Sequence, residues 1–414
     1  MRIAHFVQRY PPALGGSEAY FQRLSRFFAE RGHAVDVWTT TAGDLEAFWS
    51  TRGKTLPADT TTDGQVRVRR FPLWRWPLRR YMLKILSLFP HRNWQALTMP
   101  SNPIAPDMWR EAGRCAEKYD IVHATAFPYA FPIACARRLA RRLGVPFLLT
   151  PFLHLGDPAN PNDRMRRSYL SPPLRDLLLS ADRVFVQTPS ERDAVVHAGV
   201  SNEKVILQGL GVEPAECTGG ERNRARKRWN VSESDVVVGH LANLSFEKGT
   251  IDLLQASERL WKTGGTFRVV LAGPDMANFR QFWQSFPMQD RVIRTGVLDD
   301  VQKRDFFAGI DIFALPSRSD SFGLVLLEAW ANGVPNIAYR AGGVADVVQD
   351  QQDGLLVQCG NVEELCLGMR RLIESGGLRH LLGQAGRIRI YAEYQWQDKL
   401  ELVSRLYSDM ATQR

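Results

Sequence analysis

The chain lacks several things a reader would search for first. No stretch approaches the ~20 consecutive apolar residues of a membrane-spanning helix. The five cysteines (115, 135, 217, 359 and 366) form no Cys-x-x-Cys pair and are odd in number, which argues against a disulfide framework or a thiolate zinc site. No Asp-x-Asp triplet occurs, so an acidic pair presenting a metal ion is not indicated, and no internal repeat is visible. The opening apolar run, Ile3 to Val7, ends at Gln8-Arg9, too short for the core of a secretion signal. A reducing cytosol is the expected compartment. Acidic residues are missing from one window, Gly64 to Pro106, which holds eight lysines and arginines.

What is present is ordinary in amount. Hydrophobic residues make up 44% and charged residues 23%, which excludes disorder and fibrous architectures. At 414 residues the chain has room for two or three domains. Net charge is +9, but outside the acid-free window 45 basic residues face 44 acidic ones. The excess is local. A uniformly basic nucleic-acid binder is not built this way, and no nucleic-acid recognition motif accompanies the charge. One surface element is expected to meet something anionic.

Strand and helix patterns alternate along the chain. Arg2 to Val7, His33 to Trp38, Val66 to Phe71, Ile121 to His123, Phe147 to Thr150, Val184 to Val186 and Val205 to Leu207 read as strands. Ser17 is placed to cap a helix running to about Arg31. Gly209 to Gly220 has no periodicity and reads as a linker. Alternation then restarts, with strands at Val236 to Gly239, Phe267 to Ala272, Ile310 to Leu315 and Asn336 to Ala338. Helices are expected from about Ile251, near Val301 and from Ser321. Trp396, Leu400, Val403, Tyr407 and Met410 recur at helical spacing, so an amphipathic helix ends the chain. The expected fold class is α/β, with two doubly wound, Rossmann-like domains facing a central cleft. The first spans 1–210, with a helix of about 397–414 packing back on it, and the second spans 217–396.

Ligands of open parallel sheets sit beyond the carboxyl ends of the strands, so the loops after strands carry the information. Lys248 and Gly249 follow one strand and open a helix. Free amides and a partial positive charge there, beside a lysine, suit a diphosphate. A second corner, Leu315 to Ala329, places Asp320 ahead of a helix, Gly323 where backbone must approach a ligand, and Glu328 in an apolar run. Singly, Lys248 reads as a solvated loop lysine, Asp320 as a helix cap and Glu328 as half of an internal salt bridge; together with the intervening Phe322-Gly323 they read as a site. Gly342-Gly343 and Gly15-Gly16 are further turns after strands. Gly209-Leu-Gly211 starts like a dinucleotide fingerprint, but Pro214 occupies the third glycine position.

These corners together resemble glycosyltransferase family 4, the retaining enzymes of the GT-B fold. The resemblance spans essentially the whole chain. It is carried by Pro12 to Glu18, Ala181 to Ser190, Glu247-Lys248-Gly249, and Pro316 to Pro335, which is similar to the family's Glu-x7-Glu signature. Tyr394 to Trp396 and the final helix resemble the segment that crosses back to the first domain. The resemblance implies a nucleotide-sugar donor held in the second domain and an acceptor in the first. Lys248 would contact the donor diphosphate. Asp320 would face the donor sugar, near the backbone of Phe322, Gly323 and Leu324, and Glu328 would hold the ribose hydroxyls. Gly15 and Gly16 would lie against phosphates or acceptor, and His154 would be the active-site histidine; read alone, His123 and His154 are satisfied loop or core histidines. Two departures stand out. The family's arginine five residues before the lysine is Asn243, which removes a positive charge from the phosphate site. The first signature glutamate is Asp320, one methylene shorter.

The implied activity is a metal-independent, cofactor-free hexosyltransfer with retention. It would run from a UDP- or GDP-sugar to a saccharide or lipid-linked acceptor, in cell-surface polysaccharide or glycoconjugate synthesis. Developing charge on the leaving diphosphate is met by Lys248, helix N-termini and backbone amides. The acid-free window bears on the acceptor side. Arg75, Trp76, Arg79, Arg80 and Lys84 mix cations with aromatics. Met82, Ile85, Leu86 and Phe89 share one helical face, opposite Arg80, Lys84, Ser87 and His91. That pattern suits an interfacial helix on an anionic bilayer, placing the protein peripherally on the inner face of the cytoplasmic membrane. It equally suits a helix packed on its domain with a solvated basic face. Rival readings are a nucleotide-sugar epimerase, a phosphorylase, or a non-catalytic glycan- or lipid-binding relative.

Overall fold

The computed structural model describes residues 1–13, 15–160 and 162–412. Leu14 of the double-glycine loop and residues 413–414, where the expected final helix was to end, lie outside the described residues. Internal contacts divide the chain into two units. One comprises Met1–Leu153, Arg166–Gln208 and the chain from Leu400 onward; the other comprises His154–Met165 and Gly209–Lys399.

The first unit holds β1 (Arg2–Phe6), β2 (Ala34–Thr40), β3 (Thr60–Asp63), β4 (Val66–Phe71), β5 (Ile121–Ala124), β6 (Phe147–Leu149), β7 (Arg183–Val186) and β8 (Val205–Leu207). They form one sheet in the order β3-β4-β2-β1-β5-β6-β7-β8, parallel except for the β3–β4 hairpin. The second unit holds β9 (Val236–Leu241), β10 (Phe267–Ala272), β11 (Val292–Gly296), β12 (Ile312–Leu315), β13 (Asn336–Arg340) and β14 (Gly354–Gln358), all parallel, in the order β11-β10-β9-β12-β13-β14. Central strands such as β5, β9 and β12 are buried almost throughout, as sheets covered on both faces require. In the second sheet the order reverses direction between β9 and β12. In the first it does so between β1 and β5. Those are the crevices where a doubly wound sheet accepts ligands.

Several elements depart from the expectation. The helix Gly16–Glu30 starts one residue before Ser17, with Gly15 at the cap position and no side-chain cap. A Cβ on Gly15 would meet Glu18 Oε2 at 2.2 Å, so its absence makes room for a buried carboxylate bonded to Arg9 and Gln8. The helix expected from Ser321 begins at Leu324, because Gly323 at φ 84° turns the chain first. Three strands were not expected. β3 is polar and exposed in part, β11 alternates at a sheet edge, and β14 follows a turn at Gln351–Gly354. The stretch expected as a linker is pinned: Val212 N donates to Tyr394 O at 2.9 Å, and Pro214–Cys217 forms a helical turn. The segment 154–165, expected in the first domain, is counted with the second unit because its bonds run there.

In the first unit a buried chain of hydrogen bonds ties the C-terminal helix to the sheet. Ser25 donates to Phe21 O, so its oxygen accepts from His5 Nδ1 at 2.8 Å. His5 Nε2 then accepts from Tyr407 Oη, which in turn accepts from His123 Nδ1 at 2.6 Å, and His123 Nε2 accepts from Thr150 Oγ1. His123 is thus a satisfied core residue, fully buried. Among the described residues no helix is long and apolar enough to cross a membrane.

Candidate active site

The loops after β9 and β12 meet at the reversal point of the second sheet. Arg318 N donates to Glu247 O at 3.0 Å, and Gly249 packs on Pro316. Gly249 has φ 73°, and a Cβ there would fall 1.8 Å from Pro316 O, so only glycine allows this approach. Gly249 caps the helix Thr250–Lys262, and Gly323 caps the helix Leu324–Ala331. Both sequence corners therefore present helix N-termini at one place. The first-turn amides of Leu324 and Val325 have no acceptor among the described residues.

Between these corners Lys248 Nζ bonds Asp320 Oδ2 at 2.6 Å. Burial pushes the Asp320 carboxyl upward, but Lys248, His154 and the Phe322 amide outweigh it and hold the group below its ordinary value. Asp320 is therefore not the cap of the following helix. Its backbone is held by the third glycine turn. Gly343 N donates to Asp320 O at 2.8 Å, and a Cβ on Gly342 would meet the same oxygen at 2.2 Å.

His154 closes the other side of this loop. Its Nδ1 lies 3.0 Å from Ser319 O, so Nδ1 carries the hydrogen and donates. Two residues on, Gly156 O accepts from Gly342 N at 2.7 Å. Burial and Lys248 lower the His154 pKa to about 4, so the ring is neutral at pH 7.

Glu328 stands in the second turn of the Leu324–Ala331 helix and is only partly buried. Oε1 bonds Lys303 Nζ at 2.6 Å, whereas Oε2 is shielded from solvent without a hydrogen-bond partner. An acceptor left open in this way suits hydroxyl donors. Phe322 is buried edge-on to Tyr394, with ring centroids 6.1 Å apart. Asn243 is exposed and brings no charge. Gly15 and Gly16 belong to the first unit, where a Cβ on Gly16 would meet nothing among the described residues.

Sequence reading missed the struts. His240 Nδ1 donates to Ala314 O at 2.8 Å, so its Nε2 accepts from Thr250 Oγ1 at 2.9 Å, and that oxygen accepts from Ser245 N. One buried imidazole thereby joins β9, β12 and the Lys248 loop. Lys303, the partner of Glu328, also carried no motif. Arg318 lies over Phe246 at 4.2 Å and bonds Asp252, which accepts from Tyr339 Oη at 2.8 Å.

The basic segment differs from the expectation in two residues. Arg79 is buried and donates to Trp74 O and Asn102 O at 3.0 and 3.1 Å; burial lowers its pKa to about 10. Arg75 is spent on the carbonyls of Thr51 and Gly53. Arg79 presents no cation to a surface, while Arg75 is half-buried with its Nη donors committed to the loop before it. Arg80 and Lys84 are exposed, as is Trp76. In the helix Arg79–Leu86 it is Leu83 that faces the core, while Tyr81 and Ile85 are exposed. The apolar face expected to pack on the domain is therefore largely open.

Residues 15–211 match the family described as Glycosyl transferase 4-like domain, and residues 221–389 match Glycosyl transferases group 1. The sulfoquinovosyl transferase SQD2 of Arabidopsis thaliana is 26% identical over 409 residues, covering 96% of this chain and 71% of that protein. The D-inositol 3-phosphate glycosyltransferase of Acidothermus cellulolyticus is 26% identical over 424 residues, covering 97% and 87%. Among solved structures, the sucrose-phosphate synthase of Thermosynechococcus elongatus superposes with TM-score 0.77 at 20% identity over 100% of both chains. The Anabaena protein HepE in complex with UDP-glucose superposes with TM-score 0.70 at 17% identity, covering 99% and 100%. Two parallel α/β sheets of this order, with a lysine corner and an Asp-x7-Glu corner at the second reversal point, accord with these matches: the chain belongs to the group 1, family 4-like glycosyltransferases of the GT-B fold.

Proposed function

We propose that the protein is a retaining, metal-independent hexosyltransferase that uses a UDP- or GDP-sugar and a saccharide or lipid-linked acceptor. The observation that carries this reading is the Lys248–Asp320 bond at the β9–β12 reversal, between two glycine-capped helix N-termini. In this reading the Lys248 ammonium and the amides before Leu324–Ala331 meet the charge that grows on the diphosphate. Asp320 orients the hexose, with neutral His154 beside it, and Glu328 Oε2 accepts from ribose hydroxyls. The bond from the anomeric carbon to the leaving phosphate breaks while the acceptor hydroxyl attacks the same face. Its proton passes to the departing phosphate oxygen, so no carboxylate nucleophile is required.

The likeness to HepE, solved with UDP and UDP-glucose, makes a UDP-sugar the first donor to test. Coupling a nucleoside-diphosphate assay to anomeric NMR of the product tests the reading. Release of diphosphate only with acceptor present, and a product anomer matching the donor, are the expected results. An inverted anomer would remove the retaining assignment, and turnover that depends on added metal would remove metal independence.

Membrane docking belongs to the same proposal. Arg80 and Lys84 would face anionic headgroups while Tyr81, Ile85, Leu88 and Phe89 enter the interface, at the inner face of the cytoplasmic membrane.

A further inference from the structure

We propose that a cavity in the first unit, lined by the helices Arg92–Thr98, Pro106–Ala112 and Ala130–Leu143, binds the phosphate headgroup of an anionic bilayer lipid. The proposal rests on the membrane-docking reading above and assigns it a specific subsite. The cavity holds about 360 Å³ and is lined by His91, Trp94, Trp109, Arg137, Arg138 and Arg141. Three guanidinium groups thus face one space.

Their partners divide them. Arg137 is nearly buried and committed, donating to Asp176 Oδ2 at 2.8 Å and Asn93 Oδ1 at 2.6 Å. It forms a fixed wall. Arg138 Cζ lies 4.3 Å from the centroid of the Trp109 ring, and neither Arg138 nor Arg141 has an acidic partner among the described residues. Asp176 offsets one of the three charges, so the cavity keeps an uncompensated pair of cations. Guanidinium forks bind phosphate oxygens in pairs, a geometry an ammonium cannot reproduce.

Trp94 links the cavity to an apolar stretch of the basic window. It lines the cavity, and its Nε1 donates to Leu86 O at 2.8 Å, joining the helices Arg79–Leu86 and Arg92–Thr98. Beyond it Leu88 and Phe89 are 75% and 62% exposed, in a window without a single acidic residue. Large apolar side chains exposed together in this way mark an interaction surface. A ligand with a phosphate at one end and acyl chains at the other matches both halves. A soluble phosphate would use only the cavity.

Vesicle co-sedimentation of the full chain tests this. Phosphatidylcholine vesicles carrying phosphatidic acid are compared with vesicles carrying oleate at the same zeta potential. Wild type is expected to bind the phosphate-bearing vesicles about tenfold more tightly, a difference of ~1.4 kcal/mol. The R138K/R141K variant keeps its charge and is expected to bind both at the oleate level, with an unchanged thermal shift on UDP addition. R80Q/K84Q is expected to weaken both in parallel. Retention of the phosphate preference by R138K/R141K, or its absence in wild type that still binds oleate vesicles, overturns the cavity assignment alone. Wild type pelleting with neither overturns the docking reading and the cavity with it. Binding of glycerol 3-phosphate that depends on Arg138 and Arg141, without any vesicle binding, would make the ligand a soluble phosphate and overturn the lipid assignment.

Discussion

Lys248 Nζ and Asp320 Oδ2 are 2.6 Å apart, although 72 residues separate them in sequence. The bond joins the loops after β9 and β12, the two strands between which the second sheet reverses its order. It keeps one cation and one carboxylate at the mouth of two helix N-termini. In the proposed reaction the pair divides its labour, the cation for diphosphate and the carboxylate for hexose.

Lys248→Ala should lower kcat/KM by a factor on the order of 10²–10³, the range for removing one transition-state donor. Restoring the family's arginine by Asn243→Arg should tighten donor binding. Steady-state kinetics on both variants check this, and an unchanged kcat/KM in Lys248→Ala would contradict the assigned role.

Lys303→Met should leave Glu328 Oε1 without its ammonium and loosen the carboxylate proposed for the ribose. KM for the donor should rise roughly tenfold, a cost typical of one lost charge-assisted bond, with kcat little changed. A fall in kcat at constant KM would show that Lys303 acts elsewhere.

Gly249→Ala should destabilise the second unit by more than ~2 kcal/mol, because both the left-handed φ and the Pro316 carbonyl exclude a Cβ. Gly16→Ala, whose Cβ would meet nothing among the described residues, is the control and should shift the melting temperature little. Equal effects at the two glycines would argue against the packed turn.

Acid should destabilise the protein well above the carboxylate range. His154 and His240 have folded pKa values lowered to about 4, and His5 to about 3, all from the ordinary 6.5, with burial the leading cause. The unfolded chain therefore binds protons that the folded chain does not once pH falls below 6.5. Stability is full above that value and declines by about 1.4 kcal/mol per pH unit for each group as pH drops toward the folded values. Urea unfolding at pH 7 and pH 5 should show a loss of several kcal/mol. A midpoint that holds or rises at pH 5 would contradict the neutral, buried imidazoles.

Much of the second unit was legible because its signals are local. β10 spans Phe267–Ala272 as its apolar run predicts, and Lys248, Gly249, Asp320 and Gly323 sit where strand–turn–helix chemistry puts them. Partners were not legible. Nothing near Glu328 in sequence announces Lys303, and nothing near His240 announces Ala314, since each pairing is created by strand order. Helix starts were misplaced where glycine geometry decided them, at Gly15 and Gly323. In the basic window, charge alone could not tell Arg79, which is buried against carbonyls, from Arg80, which is exposed.

Titration calorimetry with UDP and GDP, on wild type and on Lys248→Met, measures the central grip directly. One of the two nucleotides should bind the wild-type protein, and Lys248→Met should weaken that binding by at least about tenfold, or ~1.4 kcal/mol. Equal affinity in the two proteins, or no binding of either nucleotide to wild type, would contradict a diphosphate site built on Lys248.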